Sequence, residues 1–164
     1  MVIGWRFELG KKYIHYGHKE FDRGLFVTVR NGLGMNKPLG GLWASPVDAE
    51  RGWYDWCKRN EFVLGRLKTH FEFELSQNAR VLKLTPDNVW DLPEDEKSFF
   101  IRRPPERRDS LSIVESVDFE ALAREWDVLE YSLTEYPEMY WSLYGWDCDC
   151  ILVLNPDVVV EVSK

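Results

Sequence analysis

Cysteine is scarce in this chain. There are three in 164 residues, Cys57, Cys148 and Cys150. So few, so unevenly placed, exclude the disulfide framework of a small secreted domain, and free thiols are the expected state. Long apolar runs are missing as well. Nothing approaches the about 18 consecutive apolar residues of a membrane span, and no apolar h-region of a secretory signal precedes the first strand. A cytoplasmic protein without a membrane partner is therefore expected. Positive charge is in deficit: the net charge is −7, which argues against a general nucleic-acid partner, because phosphate affinity comes from clustered Lys and Arg. The basic cluster Arg102-Arg103-Pro104-Pro105-Glu106-Arg107-Arg108 is the exception, and it reads as a solvated loop. No Gly-x-Ser-x-Gly elbow is present, and Gly32, Gly34, Gly40 and Gly41 lack the surroundings of a phosphate-cradling loop. Internal repeats and low-complexity segments are also absent.

Aromatics are plentiful instead: eight Trp, nine Phe and seven Tyr. They predict a large-residue core and, at some positions, flat walls for a ligand. The 45% hydrophobic content and the length suit one domain, residues 1–164, that needs no staples.

The C-terminal stretch is the most ordered signal. Cys150 to Leu154 is a short apolar run, Asn155-Pro156-Asp157 punctuates it, and Val158 to Val162 follows. That predicts a buried strand, a turn and a closing strand. Asp147 and Asp149 stand at the mouth of the buried strand. Period two points both to the same side, either into a cleft or into solvent as turn residues.

Further strands are expected over residues 2–9, 12–18, 42–45, 70–75, 80–84 and 126–133. Residues 70–75 and 80–84 alternate and are joined by Ser76-Gln77-Asn78-Ala79, which predicts a hairpin. Helices are expected over 49–60, capped by Ser45 or Asp48, and over 119–125, capped by Asp118. In the first of these, Trp53, Trp56 and Cys57 share a face. Residues 85–92 look like a short helix entry, 31–41 a glycine-rich loop, 93–112 an exposed excursion and 134–144 an aromatic loop. Strands dominate, so the class is α+β: a mixed sheet with a few short helices.

Three of these segments, in this order, resemble the ADP-ribosyltransferase fold shared by ADP-ribosylating toxins and poly(ADP-ribose) polymerases. They are His15-Tyr16-Gly17-His18, Gly41-Leu42-Trp43-Ala44-Ser45 with the helix from Ala49 to Trp53, and Asp149-Cys150-Ile151-Leu152-Val153-Leu154. The resemblance implies two strand groups forming a cleft, NAD as substrate, and transfer of ADP-ribose or hydrolysis of NAD with release of nicotinamide. It further implies that Gly17, with one of His15, Tyr16 and His18, grips the dinucleotide, that Trp43 and Ser45 flank the nicotinamide, and that Tyr54 or Trp53 lines the same cleft. Asp149 would then stabilise the ribosyl cation, electrostatic work sensitive to an ångström. A protein acceptor would meet the loop at 134–144, with Glu135 or Glu138 aligning it. Two departures stand out: Tyr16 falls in the family's histidine position, and Asp149 replaces glutamate. They leave open a second reading, a non-catalytic ligand- or protein-binding module on the same scaffold.

Each candidate also has a plainer role. His15 can be a half-core histidine, Trp43 and Tyr54 core or surface packing, Ser45 a helix cap and Asp149 a turn residue. A zinc site from His15, His18, Cys148 and Cys150 is disfavoured, because residues three apart on a strand face opposite sides and Cys-x-Cys lacks the usual knuckle spacing.

Overall fold

Four consecutive buried side chains, Cys150-Ile151-Leu152-Val153, form the strand around which the sheet is built. The computed structural model describes residues 10–32, 36–96 and 117–162. The strand expected over 2–9, the cluster Arg102 to Arg108, residues 33–35 of the glycine-rich loop and residues 97–112 of the charged excursion lie outside them.

Seven strands form one sheet: β1 Lys12–Tyr16, β2 Leu42–Pro46, β3 His70–Leu75, β4 Val81–Lys83, β5 Val128–Tyr131, β6 Cys150–Val153 and β7 Val159–Glu161. Two α-helices among the described residues, α1 Trp53–Arg59 and α2 Phe119–Glu125, complete a mixed α+β fold. The strand order is β4-β5-β6-β2-β1-β3-β7. All neighbours are antiparallel except β4 with β5. The ladder between β1 and β2 holds only Tyr13↔Pro46 and Ile14↔Ser45, whereas β1 and β3 share five pairs from Lys12↔Glu74 to Tyr16↔His70. All seven strands nonetheless belong to one continuous sheet.

Both faces of the centre are covered. On β6, Cys150 and Leu152 enter one core with Leu129, Tyr131 and Trp146, while Ile151 and Val153 enter the other with Tyr13, Phe73 and Val128. That explains why β6 reads as an unbroken apolar run although its partners are antiparallel. Ile151, Leu152 and Val153 are fully buried, each stabilising by about 1.5–3 kcal/mol relative to exposure.

Several expectations change in the folded chain. The segments at 70–75 and 80–84 are strands, but they are not a hairpin: β3 pairs with β1 and β7, and β4 runs parallel to β5 at the opposite edge. Alternation reports which side of a strand is buried, not which neighbour it has. The first helix starts at Trp53, not Ala49, with Gly52 at its N-cap. Ser45 still serves that end, since the Trp53 N–H donates to its Oγ at 2.8 Å. In α2 the expected cap is present: the Ala121 N–H donates to the Asp118 carboxylate at 2.9 Å. Residues 85–92 hold only a 3₁₀ turn at Val89–Asp91. The strand at 12–18 ends at Tyr16, because Gly17 adopts φ +111° and donates its N–H to Thr69 O at 2.8 Å. A side chain is rarely tolerated at that φ. The bend there swings His18 back, so His15 and His18 touch instead of facing opposite sides, with ring centroids 5.3 Å apart.

One stabilising knot has no local signal in the sequence. Asp127, buried ahead of β5, accepts from Arg80 N, Nε and Nη2 and from Asn155 Nδ2 at 2.9–3.0 Å. Its backbone oxygen accepts from Leu154 N and Asn155 N. The Arg80 hydrogen bonds, helped by Asn155, hold its carboxyl at about 2 despite burial.

Candidate functional site

Beside the β1–β2 pair lies a cavity of about 360 Å³, walled by β1, β2, the start of α1 and the segment that enters β6. His15, Tyr16, Trp43 and Ser45 all line it. Adjacent strands bring these residues together: β1 and β2 are neighbours, and β2 pairs with β6 through Leu42↔Val153, Trp43↔Leu152 and Ala44↔Ile151.

Its walls are aromatic. Trp43 meets Trp146 edge-on with centroids 4.8 Å apart. Trp53 stacks on Trp56 at 5.0 Å and 9°, one helical turn apart in α1. Phe62 closes that side, edge-on to both indoles. The turn presenting Phe62 is unusual, because Glu61 and Val63 on either side have φ +51° and +41°. A β-branched residue in that region costs on the order of 1–3 kcal/mol, so the surrounding packing must hold it there.

Charge sits at both ends of the walls. Lys37 Nζ lies 5.2 Å from the Trp43 ring and 5.9 Å from Trp53. Arg66 lines the cavity on the β1 side, close enough to His15 to disfavour its protonation. His15 Nδ1 is 2.7 Å from Trp43 O and Nε2 is 3.1 Å from His18 Nδ1. A carbonyl only accepts, so Nδ1–H of His15 donates to it and the neutral ring accepts at Nε2 from His18. Burial is the main reason the His15 pKa is lowered, with His18 and Arg66 adding to it and the Trp43 carbonyl opposing. The imidazole is a fixed, neutral wall group.

Asp147 is the one carboxylate among the lining residues, and no hydrogen bond or ion pair engages it among the described residues. Asp149 lies elsewhere. Its Oδ1 accepts from Ser132 Oγ at 3.1 Å and Thr134 N at 2.8 Å, and its Oδ2 from Thr134 Oγ1 at 2.6 Å and Arg51 N at 3.3 Å. Its own N–H donates to Arg51 O. It is buried, and it does not line the cavity. The physical reason is alternation at the strand mouth: Cys148 and Cys150 take the cavity side, which leaves Asp149 for the other. Alternation alone would put Asp147 on the side of Asp149, but the chain bends at residues 148–149 before β6 begins, and Asp147 stays in the cavity lining.

Other expected residues take supporting places. Gly17 makes the bend, and His18 reaches the site only through His15. Tyr54 is exposed at the rim, where its ring lies 5.9 Å from Tyr16 and under Lys58 Nζ. Glu135 is paired with Lys83 at 2.5 Å. In the loop at 134–144, Met139 and Leu143 are buried, whereas Trp141 and Tyr144 are exposed and stacked at 6.4 Å. Lys37, Phe62 and Arg66 carry no local sequence signal that could have marked them. Among the described residues, no group of three or more His, Cys, Asp or Glu is placed to hold a metal ion. None of their helices is long and apolar enough to cross a membrane.

No family model, no curated protein and no solved structure matches this chain.

Proposed function

We propose that this chain binds NAD, or a nucleotide of the same class, in the cleft between β1, β2 and β6, as a domain of ADP-ribosyltransferase-like kind. One observation carries the reading. The three segments that resemble that family lie on adjacent strands, and His15 and Trp43 from two of them wall one cavity with Asp147 at the edge of the third. The volume, about 360 Å³, is at the low end of the roughly 300–1,000 Å³ typical of small-molecule sites. It suits one half of a dinucleotide. A nicotinamide ring would lie against Trp43 and Trp53, with Arg66 and Lys37 at the mouth for the diphosphate.

Binding is better supported than turnover. A carboxylate stabilising a ribosyl cation must face the ligand, and Asp149 gives its oxygens to four protein donors instead. The residue positioned for catalysis is Asp147, and its place in the lining keeps NAD hydrolysis or ADP-ribosyl transfer as the second reading.

Calorimetry with NAD, ADP-ribose and nicotinamide tests the first reading. One saturable site for NAD, weakened tenfold or more in Trp43→Ala, is the expected result; no heat with any of the three sinks it. Nicotinamide release decides the second, which requires release by the wild type and its loss in Asp147→Asn.

A further inference from the structure

A lysine of the chain itself already sits where a ligand cation would. Lys37 Nζ lies 5.2 Å from the centroid of the Trp43 ring and 5.9 Å from that of Trp53, within the about 6 Å reach of a cation–π contact to both. Trp56 stacks on Trp53 at 5.0 Å and 9°, which covers one face of that indole and leaves the other to the cleft. Trp146 and Phe62 add two more aromatic walls. Asp147 supplies a carboxylate with no hydrogen bond or ion pair among the described residues.

Lys37 is a poor occupant of this place. It is exposed, and an ammonium is a compact, strongly hydrated charge on a flexible stem that keeps its head in water. Among the remaining charges of the lining, Arg66 and Asp147 are opposite in sign, and His15 is neutral. With Lys37 swung out, the cleft carries no net charge against a cation.

We propose that this cleft is a site for a weakly hydrated organic cation, a methylated ammonium or an N-alkylpyridinium, and that Lys37 is its resident stand-in. Such a cation gives up its water more readily than an ammonium does, so the indole faces hold it more strongly once solvent is excluded. On its arrival the Lys37 head leaves the rings, and one positive charge replaces another. The pyridinium ring of an oxidised nicotinamide nucleotide belongs to this class; with that ligand the freed ammonium meets the diphosphate at the mouth. The site is the cleft proposed above for a nucleotide, but it does not require one.

Two matched pairs of small ligands test the site by ligand-observed NMR titration of the full chain at constant ionic strength. One is choline against its neutral tert-butyl isostere; the other is the N-methylpyridinium form of nicotinamide against nicotinamide. In at least one pair the cation should bind about fivefold tighter or more. The pair that shows it identifies the source, methylated ammonium or pyridinium. Lys37→Ala should tighten the preferred cation about threefold, and Asp147→Asn should weaken it while leaving the neutral partner unaffected. The wild-type pairs decide even where a variant does not fold. Equal affinity within both pairs, or no binding of either cation, overturns the proposal, and unchanged or looser cation binding in Lys37→Ala overturns the role of Lys37. NAD titrated alongside keeps the two sites of failure apart. A cation preference without NAD binding ends the nucleotide reading alone, and NAD binding without a cation preference ends the organic-cation site alone.

Discussion

The two sides of the β6 mouth, two residues apart, are built on opposite principles. On one side Asp149 is buried, and each carboxylate oxygen is met by two protein donors, so nothing remains to offer a ligand. On the other, Asp147 lines a cavity with indoles on its walls and two cations around it, and no described residue pairs with it. A buried charge with all its partners present is an architectural joint; removing it strands those partners. A carboxylate without partners at a cavity edge is available for recognition. The comparison teaches that an acid at a strand mouth is identified by its donors, not by its position in a motif.

That contrast can be broken by substitution. The largest effect is expected from Asp149→Ala, which leaves Ser132, Thr134 and Arg51 donors unmet and should cost roughly 3 kcal/mol in urea unfolding. A loss below about 0.5 kcal/mol would place Asp149 outside the joint. Next comes the similar joint at Asp127, which allows a pH test. Its carboxyl lies at about 2 in the folded chain, below the ordinary unfolded value near 4. The stabilisation of roughly 2 kcal/mol is therefore present above that unfolded value and lost as pH falls through about 2. Urea midpoints between pH 5 and pH 2 should fall less steeply in Asp127→Asn than in the wild type. On the cleft side, Trp53→Ala should weaken NAD binding tenfold or more, about 1.4 kcal/mol, while α1 persists by circular dichroism. Smallest is the stability change in Asp147→Asn, expected within about 0.5 kcal/mol because no protein partner is lost.

Much of the fold was legible because it rests on burial. The apolar run of β6, the alternation of Phe71, Phe73 and Leu75 in β3 and the Asp118 cap of α2 each answer to a local rule, and each element formed near its expected place. Pairing was not legible. β3 and β4 alternate as a hairpin would, yet β3 lies beside β1 and β4 beside β5, since partners are chosen by which faces bury together. At the site, His15, Tyr16, Trp43 and Ser45 share one hollow because their strands are neighbours. Lys37, Phe62 and Arg66 come to it from irregular chain, where no period exists to read. Asp149 went the other way because a bend of two residues decides which acid faces inward, and nothing in Trp146-Asp147-Cys148-Asp149-Cys150 marks that bend in advance.

Titration calorimetry of NAD into Asp147→Asn and Asp149→Asn, side by side with the wild type, tests the central claim most directly. Asp147→Asn should alter the affinity severalfold without changing the melting temperature, and Asp149→Asn should lower the melting temperature and leave the affinity of the folded fraction unchanged. The reverse pattern, affinity following Asp149 and stability following Asp147, would contradict the assignment of the two sides.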